Sequence, residues 1–215
     1  MVTESRARRS RRRNWLRGVV SAGARLLRLR RGHAETTQVN APGAASTWLL
    51  RRAAEADVTP IAKAFVRSWQ AAYRGQMPDS FVNGPTMAAG VRRWKRRLSG
   101  RHPGKETWVV EGDGAVVGFA RTGPCRDPDA GPSWGEVYTI YLSPEWWGCG
   151  AGRALFAHAV ASLSARDFRP LVVWVVETNA RARRFYGQAG WQPDGANKTS
   201  TSHGVEVRRV RYRLE

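Results

Sequence analysis

A mixed α/β fold, with a central sheet flanked by helices and a basic N-terminal arm in front, is the class that the sequence predicts. Three observations carry it. Apolar residues recur at helical spacing over residues 58–72, an Asp-Gly pair separates two valine-rich runs within residues 107–121, and the wholly apolar run Leu171 to Val176 reads as a buried strand between two helical stretches. Strands interleaved with helices point to a layered sheet rather than a bundle or a sandwich.

Composition excludes several alternatives. At 215 residues, with 42% hydrophobic and 10% aromatic residues, the chain can bury a core and is not wholly disordered. Its two cysteines, Cys125 and Cys149, make neither a disulfide framework nor a metal cage, and a reducing, cytoplasmic compartment is the expectation. No apolar run approaches the roughly 20 residues that cross a bilayer. The net charge of +19 is unevenly spread: eleven arginines against Glu4 and Glu35 put +9 on residues 1–45. Residues 1–46 therefore read as an arginine-rich, disordered arm and residues 47–215 as the folded domain. Within the arm, Trp15, Leu16, Val19, Val20, Leu26, Leu27 and Leu29 can line one side of a basic amphipathic helix on anionic lipid. The stretch Arg12-Arg13-Asn14-Trp15-Leu16 is loosely similar to a twin-arginine export signal, but Arg25 stops the apolar segment that follows.

Trp48 to Arg52 reads as the first strand. Asp57 offers an N-cap for a helix carrying Val58, Ile61, Ala62, Phe65, Trp69 and Ala72 on one face, and Met87, Val91, Trp94 and Leu98 mark a second helix over residues 86–98. Strands at 107–111 and 116–121 flank Gly112-Asp113-Gly114 as a hairpin. A loop over 122–133 leads to a strand over 134–142, a glycine cluster, and a helix over 152–165. After the strand Leu171 to Val176, Asn179 caps a helix that ends at Ala189 with Gly190 in the left-handed position. Strands near 191–193 and 205–214, around a polar loop over 195–204, finish the domain.

The loop Leu142-Ser143-Pro144-Glu145-Trp146-Trp147-Gly148-Cys149-Gly150-Ala151-Gly152-Arg153 joins a strand to a helix. Alternate glycines let its backbone N–H groups converge at the positive end of that helix, a place for phosphate or pyrophosphate, and Arg153 can add a charge-assisted hydrogen bond. It is not a Walker loop, because Gly152 is followed by Arg153 and Ala154, and its Gly-x-Gly-x-Gly spacing is not the Rossmann fingerprint. An ordinary flexible turn remains the alternative.

A second motif lies downstream, Asn179-Ala180-Arg181-Ala182-Arg183-Arg184-Phe185-Tyr186 followed by Ala189-Gly190-Trp191. Together, the glycine loop and this asparagine-to-tyrosine helix resemble the GNAT superfamily of acyl-CoA-dependent N-acetyltransferases, and the order of elements agrees over residues 47–215. Trp147 stands where that family usually carries Arg or Gln.

The resemblance implies acetyl-CoA as co-substrate, with its pyrophosphate on Trp147, Gly148, Cys149, Gly150, Ala151, Gly152 and Arg153. It places the pantetheine arm along the backbone of Ile140, Tyr141 and Leu142, with Asn179 and Arg183 as further cofactor contacts. Glu136 shares strand parity with Ile140 and Leu142, so it is either a base for the acceptor amine or a strand-end glutamate paired with an arginine. Tyr186 is either the proton donor to the departing thiolate or a core tyrosine, and Phe185 suits the core better. Trp69 and Tyr73, four residues apart, are either an aromatic wall for the acceptor or core, and His203 can reach the same mouth. No metal is implied. The expected activity is direct acetyl transfer to the primary amine of a small molecule, less readily of a peptide or protein. The alternative is a catalytically weak binding module whose arm holds nucleic acid or an anionic membrane surface. Oligomeric state is not legible, and a homodimer is compatible with the sequence.

Overall fold

The computed structural model describes residues 36–40, 47–100 and 102–215, with backbone alone for 36–40 and Thr47. Its eight strands are β1 (Thr36–Asn40), β2 (Thr47–Arg52), β3 (Glu106–Gly112), β4 (Ala115–Pro124), β5 (Gly135–Leu142), β6 (Leu171–Val176), β7 (Gln192–Ser202) and β8 (Val205–Leu214). They form one sheet in the order β1-β2-β3-β4-β5-β6-β8-β7, antiparallel throughout except for β5 and β6. Helices α1 (Val58–Tyr73), α2 (Asp79–Val82) and α3 (Met87–Ser99) precede β3; α4 (Ala151–Ser164) joins β5 to β6, and α5 (Ala180–Gln188) follows β6.

Two layers of side chains sandwich the sheet. On one face Ile61, Ala62 and Trp94 of α1 and α3 pack against Val109 and Phe119, as the helical periodicity expects. On the other, Ala151, Leu155 and Phe156 of α4 cover Val110, Ala120 and Val137. The 107–121 hairpin turns at Asp113 and Gly114, both with positive φ (51° and 75°). Helix α5 ends in a Schellman turn, with Gly190 at φ 88° and the Trp191 N–H donating to the Tyr186 carbonyl at 3.0 Å.

The structure corrects four expectations. Strand β1 pairs with β2 from inside the segment assigned to the arm, so the sheet begins ahead of Thr47. Its sequence, Thr-Thr-Gln-Val-Asn, has the polarity of an edge strand and no alternation to betray it. The other arm readings, the amphipathic helix and the export signal, lie outside the described residues. Asp57 stands at the N-cap of α1 but does not bond the helix: its carboxylate accepts from the Ala54 N–H and from Arg51 at 2.7–2.8 Å. Polar β7 runs on to Ser202 where a loop was expected, since an exposed outer strand shows no apolar period. Helix α2 is an element beyond those that the sequence predicts.

The fourth correction bears on the site. Arg121 pairs with Thr139 but Thr122 pairs with Val137, so Tyr138 is an extra residue and β5 carries a bulge. A bulge reverses strand parity. Val137 and Ile140 consequently share the α4 face, and Glu136 does not share a face with Ile140 and Leu142.

Candidate active site

Strands β5 and β6 pair only from Gly135 opposite Leu171 to Val137 opposite Val173, and beyond the bulge they part. The Ser143 N–H donates to the Val117 carbonyl at 2.8 Å, which sets the phase of the β4–β5 ladder. By antiparallel alternation Tyr141 then spends its backbone on β4, while Ile140 and Leu142 turn theirs toward the opening. The expected backbone role therefore fits Ile140 and the Leu142 N–H but not Tyr141. The Leu142 carbonyl is already taken by the Ser68 hydroxyl at 2.6 Å and the Trp147 indole N–H at 2.8 Å.

The glycine loop opens at the end of β5. Gly148 and Gly150 have φ of 82° and 95°, and nothing lies within 4 Å of where a Cβ on Gly148 would project. Gly150 caps α4 with no side-chain cap bond, and the helical ladder starts with the Ala154 N–H on the Gly150 carbonyl. The N–H groups of Ala151, Gly152 and Arg153 are thus left for an external acceptor. Open space beside Gly148 and free donors at the positive end of a 14-residue helix fit a pyrophosphate. Arg153 is exposed in the first turn. Cys149 donates to the Trp146 carbonyl and is half-buried, part of the turn rather than a nucleophile.

Trp147 replaces a polar residue but brings charge by another route. The Arg181 guanidinium sits 4.0 Å from the centroid of its ring, which carries a cation from the first turn of α5 to the edge of the loop. Sequence reasoning missed Arg181; the signal available was an arginine two residues after the cap Asn179. Arg183, chosen instead, is turned inward, donating to the Tyr212 hydroxyl at 3.3 Å and the Glu177 carbonyl at 3.2 Å.

Three tyrosines meet at the opening. Tyr186 packs its ring against Phe156 and Tyr212 on the α4 face, whereas Tyr73 and Tyr141 belong to the aromatic layer of the α1 face. Burial pushes the Tyr186 and Tyr141 hydroxyls upward, and Tyr73 adds to both. Tyr186 is the more buried of the pair with Phe185, contrary to expectation. Asn179 caps α5 through the Ala182 N–H at 3.0 Å and points its amide nitrogen at the Tyr73 hydroxyl, 3.4 Å away.

Trp69 donates its indole N–H to the Phe81 carbonyl at 2.9 Å and stacks at 4.7 Å on Tyr73, so both are buried parts of the wall under α1 and α2. His203, at the β7–β8 turn with φ 51°, lies 6.2 Å from Trp69 and closes the same side. Glu136 is 1% exposed at the closed end of the opening. Both its oxygens are held by Arg126, at 3.0 Å to Nε and 2.6 Å to Nη2.

The model of the acetyltransferase (GNAT) family matches residues 65–191 of the chain. An uncharacterized N-acetyltransferase of Bacillus subtilis, YuaI, is 36% identical over 131 residues, which is 60% of this chain and 72% of that protein. A solved GCN5-related N-acetyltransferase from Rhodopseudomonas palustris superimposes with a TM-score of 0.61 at 21% identity, covering 76% of this chain and 92% of its own. The structure of yncA from Salmonella typhimurium, a putative acetyltransferase with its cofactor acetyl-CoA, gives 0.57 at 19% identity over 78% and 93%. Among the described residues no group of His, Cys, Asp and Glu is placed to hold a metal, and no helix is long and apolar enough to cross a membrane. With its split sheet, bare helix N-terminus and glycine loop, this acetyl-CoA-dependent acyltransferase belongs to the acetyltransferase (GNAT) family.

Proposed function

We propose that the chain moves an acetyl group from acetyl-CoA directly to the primary amine of a small molecule, through the opening between β5 and β6. The observation that carries this reading is the glycine loop, with Gly148 and Gly150 at positive φ, that leads from β5 at the opening into the bare N-terminus of α4. Bound acetyl-CoA supplies an activated acyl carbon and a thiolate leaving group. The loop amides and Arg153 hold the pyrophosphate, with Arg181 beside them, and the Ile140 and Leu142 N–H groups face the acyl arm and its carbonyl oxygen. Nitrogen–carbon bond formation accompanies carbon–sulfur cleavage; the amine's proton leaves to solvent, and the Tyr186 hydroxyl, kept protonated by burial, gives its proton to sulfur.

Glu136 serves this reading by holding Arg126, because both of its oxygens are engaged by that guanidinium. The test is coenzyme A thiol release over a panel of small amines. In Tyr186→Phe, kcat should fall by about 10²–10⁴-fold with acetyl-CoA binding retained; an unchanged kcat would return Tyr186 to the core. In Glu136→Gln the rate loss should be constant with pH, and recovery at high pH, where the amine is already neutral, would make Glu136 the base after all.

A further inference from the structure

On the α1–α3 face, next to the closed end of the opening, the chain gathers more arginines than acids to answer them. Arg121 on β4 stands opposite Thr139, the first residue of β5 past the bulge. It is 5% exposed, yet its single side-chain hydrogen bond among the described residues is from Nη1 to the Thr107 hydroxyl at 2.8 Å. No carboxylate among the described residues pairs with it. Arg97 at the end of α3 lies over the Trp94 ring at 4.9 Å, and Arg126 lies over the Tyr138 ring at 4.2 Å. Burial, then repulsion from Arg121, Arg93, Arg126 and Arg96, lowers Arg97 to about 10. The one acid in this group, Glu136, is consumed by Arg126. Ordinary packing does not account for Arg121: a buried guanidinium lacking a counter-ion bears a desolvation cost that an apolar residue in its place would not.

We propose that Arg121 and Arg97 form an anion subsite that receives a carboxylate on the acceptor, so that the preferred substrate is an amine carrying a carboxylate at its other end. This rests on the acetyl-transfer reading above and deepens it. The unused donors of Arg121 match the fork geometry of a carboxylate, and Arg97 adds a second cation. Adjacent strands are about 4.8 Å apart, so a short amino acid can hold its carboxylate over β4 while its nitrogen reaches the opening beside β5. Such an acceptor is a zwitterion at neutral pH and, unlike its cationic carboxamide, is not repelled at long range by a protein whose excess is positive.

The experiment uses the full chain, acetyl-CoA and two matched series: α- and ω-amino acids, and the carboxamide of each. For the best amino acid, kcat/KM should exceed that of its carboxamide by roughly 10- to 100-fold, the gain expected of a charge-assisted bidentate contact. Arg121→Gln should bring that ratio close to one through KM, with little change in kcat and none for the carboxamide. Arg97→Gln, at a half-buried position, should lower the ratio in the same sense and serves if Arg121→Gln does not fold. Carboxamides used as well as acids by the wild type, or a ratio untouched in both variants, overturns the inference while leaving acetyl transfer to amines standing. A separate reading needs no turnover: succinate should raise the Tm of the wild type and not of Arg121→Gln. If no amine releases thiol but succinate still stabilises in this arginine-dependent way, the anion subsite stands and the acetyl-transfer reading fails; if succinate does nothing as well, both fall.

Discussion

Two arginines, Arg121 and Arg211, are each 5% exposed on the same sheet, and their surroundings are opposites. Arg211 on β8 is answered by Asp194 at 2.7 Å, Asp129 at 2.8 Å and Asp127 at 3.1 Å. Asp127 is held in turn by the Trp174 indole N–H at 2.8 Å and Lys198 at 3.2 Å, which ties the 125–134 loop to β6, β7 and β8. Hydrogen bonds, that with Asp129 first, outweigh burial and raise Arg211, whereas burial dominates at Arg121 and lowers it. The contrast separates two uses of a buried cation. One is a fastener whose every guanidinium nitrogen is engaged; the other keeps donors in reserve beside the site.

Replacing each arginine puts that comparison at risk. The largest effect is expected for Arg211→Met, which leaves three acids crowded with their shared cation gone. A loss of about 3–5 kcal/mol is the usual result of breaking a buried pair from one side, and it should lower Tm on the order of 10 °C in calorimetry. A change under 2 °C, roughly half a kcal/mol for a chain this long, would mean that the loop is not fastened there. Asp127→Asn comes next, at about 1–3 kcal/mol, because Arg211 keeps its other two partners. Burial would raise the Asp127 carboxyl, but bonds from Arg211, Trp174 and Lys198 hold it below its ordinary value. An unfolded aspartate takes its proton near pH 3.9, so the stability that Asp127 contributes is complete above that value and declines as pH falls through the folded one. Wild-type Tm should therefore drop in this acid range and Asp127→Asn should drop less; parallel curves would remove the linkage.

Arg121→Met is expected to have the smallest effect on stability, within about 1 kcal/mol of the wild type or above it, since it removes an uncompensated buried charge and its repulsion with Arg97 and Arg126. A Tm gain with a raised KM for amino acids would be the signature of a residue kept for binding at a cost in stability. A Tm loss as large as that of Arg211→Met would instead make Arg121 a structural residue and dissolve the distinction.

The amino-acid sequence alone determined whatever depends on neighbours along the chain. The 3.6-residue period of α1 and α3, the Asp113-Gly114 turn, the alternate glycines before α4, the Asn179 cap and the Gly190 stop all act within a few residues, so they are readable without the fold. The family resemblance rested on such local motifs, and residues 65–191 bear it out. What the tertiary structure decided is where unlike segments meet. A single extra residue, Tyr138, reversed the parity that had placed Glu136 beside Ile140 and Leu142, because register is a property of two strands and not of one. Arg183 and Arg181 look alike in a run of arginines, yet the turn of the helix sends one inward to Tyr212 and the other over Trp147. Likewise an arginine on β4 and one on β8 differ only in which carboxylates the fold brings within reach, 17 to 84 residues away in sequence for Arg211 and nowhere among the described residues for Arg121. Charge pairing is set by distance in space, and periodicity in sequence carries no record of it.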